Sequence, residues 1–106
     1  MASGILGTQS SLAAATLTTV YTVPGSTVSY LNLNMVNTNA TPVSVRVALA
    51  ATDTPTPGEY IEYNAEIGGY GILERTGIAL DATKKVVAFA DTTGVSISVY
   101  GVEETA

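Results

Sequence analysis

The sequence predicts an all-β protein, a two-sheet antiparallel β-sandwich of jelly-roll or immunoglobulin-like topology with an extended N-terminal arm. Three observations predict it. Apolar and β-branched residues alternate with polar ones in short runs, turn-forming Pro, Gly, Asn and Asp residues separate those runs at roughly 8 to 12-residue spacing, and no segment sustains a helical period. About seven strands follow, and because both topologies satisfy the same alternation, spacing leaves them open. At 106 residues the chain has the size of one domain, divided here into an arm over 1–15 and a single sandwich over 16–106.

Residues 1–15 (MASGILGTQSSLAAA) place small and polar residues around Ile5, Leu6 and Leu12 with no period of 2 or 3.6, which reads as an extended arm able to add a strand to a neighbouring sheet. Thr16 to Val23 is rich in β-branched residues and ends at Pro24-Gly25, a strand followed by a tight turn. Thr27 to Asn37 sets Leu31, Leu33 and Met35 against Asn32 and Asn34. Val28 and Tyr30 fall on the Asn side, so a bulge is expected near Ser29. After the turn Thr38–Pro42, Val43, Val45, Val47 and Leu49 alternate with Ser44, Arg46, Ala48 and Ala50. Ala51 to Gly58, with Pro55 and Pro57, is an exposed loop because proline cannot donate into a central ladder. Glu59 to Ile67 sets Ile61, Tyr63, Ala65 and Ile67 opposite Tyr60, Glu62, Asn64 and Glu66. Gly68 to Gly71 breaks that pattern, and Ile72 to Leu80 resumes it with a kink at Gly77. A turn over Asp81–Lys85, a short strand over Val86–Ala90, a connection over Asp91–Gly94 and a last strand carrying Val95, Ile97 and Val99 complete the set.

Composition narrows the function classes. The chain has no Cys, His or Trp, only four basic residues against nine acidic ones, and a net charge of −5. With Arg46, Arg75, Lys84 and Lys85 as the only cations, no basic stripe exists to neutralise phosphates, so nucleic acid is not an expected partner. No apolar stretch is long enough to span a bilayer and no secretory leader is evident; no membrane association is expected, and the mature chain is expected to begin near Met1. The Asn39-Ala40-Thr41 sequon is followed directly by Pro42 and reads as chance.

Chemistry has few side chains to use. Glu62 and Glu66 share a strand face but lie roughly 13 Å apart at ~3.3 Å per residue, beyond the ~5 to 9.5 Å that paired glycosidase carboxylates need. A Ser or Thr nucleophile would have only Lys84, Lys85 or an amino terminus as base. Gly68-Gly69-Tyr70-Gly71 leads into a strand rather than a helix, which makes it a turn and not a phosphate cradle. Asp53, Asp81 and Asp91 stand singly, without the spacing of a calcium loop. The expectation is a non-enzyme with no catalytic, cofactor-binding or metal-binding residues and no cofactor. What remains is adhesion. A low-charge surface repels its neighbours weakly, which favours homo-oligomers and assemblies. Six tyrosines include the cluster Tyr60, Tyr63 and Tyr70, and a phenol combines apolar area with a polar tip. Ile5, Leu6, Tyr60, Glu62 and Tyr70 are the candidate interface residues.

The segments Thr19-Val20-Tyr21-Thr22-Val23-Pro24, Ala50-Ala51-Thr52-Asp53-Thr54-Pro55, Glu59-Tyr60-Ile61-Glu62-Tyr63, Gly71-Ile72-Leu73-Glu74-Arg75-Thr76-Gly77-Ile78 and Val99-Tyr100-Gly101-Val102-Glu103 resemble a family of small virion structural proteins of tailed bacteriophages, cyanophages among them. The resemblance spans most of the chain and carries no catalytic motif. It implies a place in a virion and other virion structural proteins as partners, the major capsid protein or tail proteins. Capsid decoration or cement is the leading expectation, a tail, baseplate or fibre adaptor the close alternative, and a glycan-binding module the alternative from another class.

Overall fold

The computed structural model describes residues 2–7 and 10–106. Strands run in the order β1 (Ser3–Ile5), β2 (Ser10–Ser11), β3 (Thr18–Thr22), β4 (Thr27–Asn37), β5 (Val43–Ala50), β6 (Tyr60–Ile67), β7 (Ile72–Leu80), β8 (Lys85–Ala90) and β9 (Val95–Thr105), with one 3-10 turn at Pro57–Glu59 before β6. Among the described residues there is no α-helix, and no helix is long and apolar enough to cross a membrane.

Two antiparallel sheets form a sandwich. Sheet A has the order β1-β9-β4-β7, with β2 paired to β9 beside β1 on the same edge; sheet B has the order β3-β8-β5-β6. Taking β1 and β2 as one interrupted edge strand, the pairings nest: β5 with β6, β4 with β7, β3 with β8, and β1/β2 with β9. Nested hairpin pairing of eight strands across two sheets is the jelly roll, which resolves the choice that spacing left open.

The described residues of the segment over 1–15 do not stand apart from the sandwich. Ser3–Ile5 and Ser10–Ser11 pair with β9, Leu12 is buried in the core, and Ala14 then bridges to Ala90 of β8, carrying the chain from one sheet to the other. Leu6 and Leu12 explain this, because the unpaired edge of β9 lets both reach the core at once.

The core fills alternate positions as the pleat requires: Leu31, Leu33 and Met35 of β4 and Ile97 and Val99 of β9 face Val45 and Val47 of β5 and Val86 and Ala88 of β8. The bulge expected near Ser29 is absent. β4 pairs with β9 without a shift from Thr27 to Asn37, Val28 and Tyr30 point outward, and Ser29 occupies a fully buried core position. A hydroxyl is tolerated there because Tyr21 of the opposite sheet reaches it at 2.7 Å.

Tyr21 is a polar clamp between the sheets. Its hydroxyl donates to Glu103 of β9 and shares a hydrogen bond with Ser29 of β4. Burial first, then the hydrogen bond to Glu103, pushes its pKa up to about 12. The unfolded tyrosine therefore ionises first, near its ordinary 10.0, and the clamp's contribution is complete below that value and lost as pH climbs towards about 12. Tyr21→Phe is expected to lose about 1–2 kcal/mol at neutral pH, from the orphaned Ser29, and to lack this alkaline decline. Urea unfolding of both forms at neutral and strongly alkaline pH tests it, and parallel declines would refute the assignment.

Irregular pairing is confined to the edges. Thr76 and Gly77 of β7 oppose Asn32 alone, with Gly77 at φ +70; Tyr63 and Asn64 of β6 oppose Arg46 alone; and Val20 of β3 has no counterpart on β8. The fourth edge is the interrupted pair β1/β2. The inner pairings β4–β9 and β5–β8 are continuous. Bulged and broken edges are poor templates for strand addition, so this fold favours association through its faces.

Candidate functional site

The two outer faces differ. On sheet B the outward residues of β5 and β8 pair as Ala48 with Val87, Arg46 with Phe89 and Ala50 with Lys85. Ala48, Ala50 and Val87 are buried nevertheless, packed with Tyr60 in a second small cluster. Their cover is the proline loop 51–59, whose Asp53 accepts a hydrogen bond from Thr19 of β3 and lies 3.7 Å from the Lys85 ammonium. The loop closes on itself through Glu59, which accepts from the backbone N–H groups of Thr56 (2.9 Å) and Ala51 (3.1 Å). Those bonds, that of Thr56 first, hold the Glu59 carboxyl below its ordinary value of 4.5, so the closure weakens as pH falls through the carboxylate range.

Beside this cover an aromatic platform forms. The double-residue bulge in β6 turns Tyr63 outward to meet Tyr60 edge-to-face, centroids 5.0 Å apart, with Asn64 at φ +51 making the bend. This corrects the expected alternation, which put Tyr63 on the core side with Ile61, Ala65 and Ile67; those three do pack on the core. Arg46 lies between the Tyr63 ring, 4.3 Å from its centroid, and the Phe89 ring at 4.7 Å, while its Nε donates to Asn64 Oδ1 at 2.7 Å. Pro55, Pro57, Tyr60 and Tyr63 line an open groove of about 500 Å³.

Among the described residues no loop covers the outer face of sheet A in this way. Its rows run Val102, Tyr30, Ala79; then Tyr100, Asn32 and the Gly77 bulge; then Ser98, Asn34, Glu74; then Ser96, Val36, Ile72. Ile5 continues the second row through its pairing with Tyr100. Tyr30 (45%), Ile5 (58%) and Ile72 (61%) are left exposed. Tyr30, Asn32, Gly77, Gly101 and Val102 surround a hollow of about 330 Å³.

The five candidate interface residues scatter accordingly. Ile5 lies on the outer face of sheet A, whereas Leu6 turns inward against the core. Tyr60 is half-buried on sheet B, and Glu62 reaches across to Arg75 of β7 at 2.7 Å, joining the edges of the two sheets. Tyr70 is the most exposed of all, at the tip of the 68–71 turn with φ +59, far in sequence from any other candidate except its own β6 neighbours. Sequence reasoning missed Tyr30, Val102, Arg46 and Phe89. Tyr30 carried a usable signal, since an aromatic on the Asn side of a regular strand must face solvent or a partner.

Among the described residues no three acidic side chains converge as metal ligands, and the buried polar side chains all have hydrogen-bond partners. Asp81 is held below the usual carboxylate range by Lys84 at 3.2 Å, an exposed turn contact. No protein-family model matches the chain, and neither a curated protein nor a solved structure does.

Proposed function

We propose that this chain is a non-catalytic structural protein of a phage virion, a capsid decoration or cement subunit that binds and bridges neighbouring capsid proteins. The observation that carries the reading is the bare outer face of sheet A, a whole sheet surface with a nearly uncharged middle, on a fold whose edges are all interrupted and whose other face is partly covered by the 51–59 loop. Interfaces are depleted of charge at their cores and enriched in tyrosine, and this face has both properties. The jelly roll is an architecture that hosts viral capsid and lectin domains, a fold-level analogy that supports the reading without selecting it. The sequence segments that resemble small phage virion proteins point the same way. Bound in many copies, such a subunit stays attached through contacts that are weak one by one.

Quantitative protein analysis of purified particles tests this. A copy number comparable to the capsid protein's is expected, with particles lacking the chain less resistant to heat. A few copies per particle would favour a tail, baseplate or fibre adaptor, and absence from particles would overturn the virion reading.

A second reading rests on its own observation, the groove of Pro55, Pro57, Tyr60 and Tyr63, whose size falls within the range of small-ligand sites. Two tyrosines meeting at a right angle offer a ring face and two hydroxyls to a host glycan. If so, Tyr60→Ala and Tyr63→Ala each abolish signal on a glycan array, and a silent wild-type array removes this reading.

A further inference from the structure

We propose that the outer face of sheet A is a two-fold self-association face, on which Tyr30 of each copy seats in the Gly77–Gly101 hollow of the other. The inference rests on the assembly reading above and gives this face to a second copy of the chain, the pair then meeting capsid proteins through its remaining surface.

Four observations select that partner. First, a knob and a hollow adjoin on one face. Tyr30 stands out from the row it shares with Val102 and Ala79, and the hollow of about 330 Å³ opens beside it over Gly77, where an added Cβ would meet nothing within 4 Å. A two-fold interface is isologous: whatever residue i touches on its partner, the partner's equivalent touches in return, so knob and hollow must lie on the same surface. Second, the middle of the face is self-complementary. Asn32, Asn34, Ser96 and Ser98 each carry donors and acceptors, so these side chains can satisfy copies of themselves. Third, charge disfavours other partners. Glu74 and Glu104 pair with Asn34 and Val28 towards opposite ends of the face, and no Lys or Arg among the described residues lies on it, so a charge-patterned partner finds nothing to match between them. Fourth, the area suffices. The strands of sheet A, of 3, 2, 11, 9 and 11 residues at ~3.3 Å per residue and ~4.8 Å spacing, give a face of roughly 570 Å², so two copies bury about 1,100 Å² in all, past the ~1,000 Å² that a specific interface needs.

The bulge makes the hollow. Because Thr76 and Gly77 oppose Asn32 alone, β7 bows at this row, and the Gly77 N–H is satisfied by Asn32 Oδ1 at 3.3 Å rather than by a ladder partner. Gly77 is thus a position where a side chain can be installed to fill the hollow; asparagine, which tolerates positive φ better than most residues, does so with least strain.

Sedimentation equilibrium of the full chain from low to high micromolar concentration tests the proposal. Wild type is expected to form a two-chain species. Tyr30→Arg removes the knob, Gly77→Asn fills the hollow and Ser98→Lys places a charge mid-face; each is expected to raise the dissociation constant by about 30-fold or more. Tyr30 and Ser98 point outward and a Cβ added at Gly77 meets nothing within 4 Å, and circular dichroism with thermal melting identifies any variant that fails to fold. Should one fail, the remaining two decide. A wild-type chain that stays single at every concentration overturns the proposal and assigns the face to a different protein, as does a dimer untouched by every folded variant. Particle incorporation is scored separately: a chain that pairs but is missing from particles refutes the virion reading and leaves the pairing standing, and a single chain found in particles does the reverse.

Discussion

Replacing Asn37 by alanine is expected to remove about 3 kcal/mol of stability, a large share of the ~5–15 kcal/mol that holds a domain folded. Asn37 ends β4 in a fully buried position, and its side chain joins three segments: Nδ2 faces the carbonyl oxygens of Thr41 (2.9 Å), Ile67 (3.2 Å) and Gly68 (3.1 Å), and Oδ1 accepts from the Asn39 N–H at 2.9 Å. Alanine leaves those backbone groups unpaired and opens a void beside them, two penalties that add. The midpoint of thermal unfolding should drop by more than about 10 °C. Asn37→Asp separates hydrogen bonding from packing, since it keeps the shape but sets a carboxylate against three carbonyls. It should therefore be worse than alanine at neutral pH and recover as the acid is protonated. Melting both variants across pH checks the order, and an Asp variant as stable as wild type at pH 7 would refute the account.

Gly101→Ala should be comparably damaging for a different reason. Gly101 lies opposite Leu31 in the central pairing of sheet A with φ +152, and an added Cβ would sit 2.0 Å from the Tyr30 carbonyl oxygen. That atom is backbone in the middle of a sheet and cannot swing aside, so β4 and β9 must separate locally. The expected loss is about 3 kcal/mol or more. Gly58→Ala is the control: its Cβ would meet nothing within 4 Å, the residue lies in the 3-10 turn, and a change within about 1 kcal/mol is expected. Chemical denaturation of the pair distinguishes a steric effect at one site from a general glycine effect.

Much of this architecture was legible in the sequence. β4, β5 and β7 begin and end where the hydrophobic alternation said they would, because strands buried on one face leave a period-2 trace. Topology was not legible, since nested pairing depends on which distant strands meet. Three local departures share a cause. Ser29 in the core, Tyr63 outside it and the pairing of Ser3–Ile5 and Ser10–Ser11 each reflect a tertiary partner, namely the Tyr21 hydroxyl, the β6 bulge and the vacant edge of β9, none of which a short window reveals. Of the candidate interface residues, Ile5 and Tyr70 lie exposed, whereas Leu6, as apolar as Ile5, has a place inside. The platform around Arg46 was invisible, because cation–ring stacking depends on register between strands far apart in the chain.

The nested pairing has a kinetic consequence. β4 finds its long neighbour only when β9 arrives, Leu33 waiting for Val99, and β1 closes on residues 100–102 at nearly the full span of the chain. High contact order of this kind slows folding into the range of milliseconds to seconds, and it keeps sheet A from assembling until β9 has been synthesised. In that interval Leu31, Leu33 and Met35 are unshielded, so yield of the native protein should depend on how crowded nascent copies are, with cooler and slower synthesis favouring soluble product.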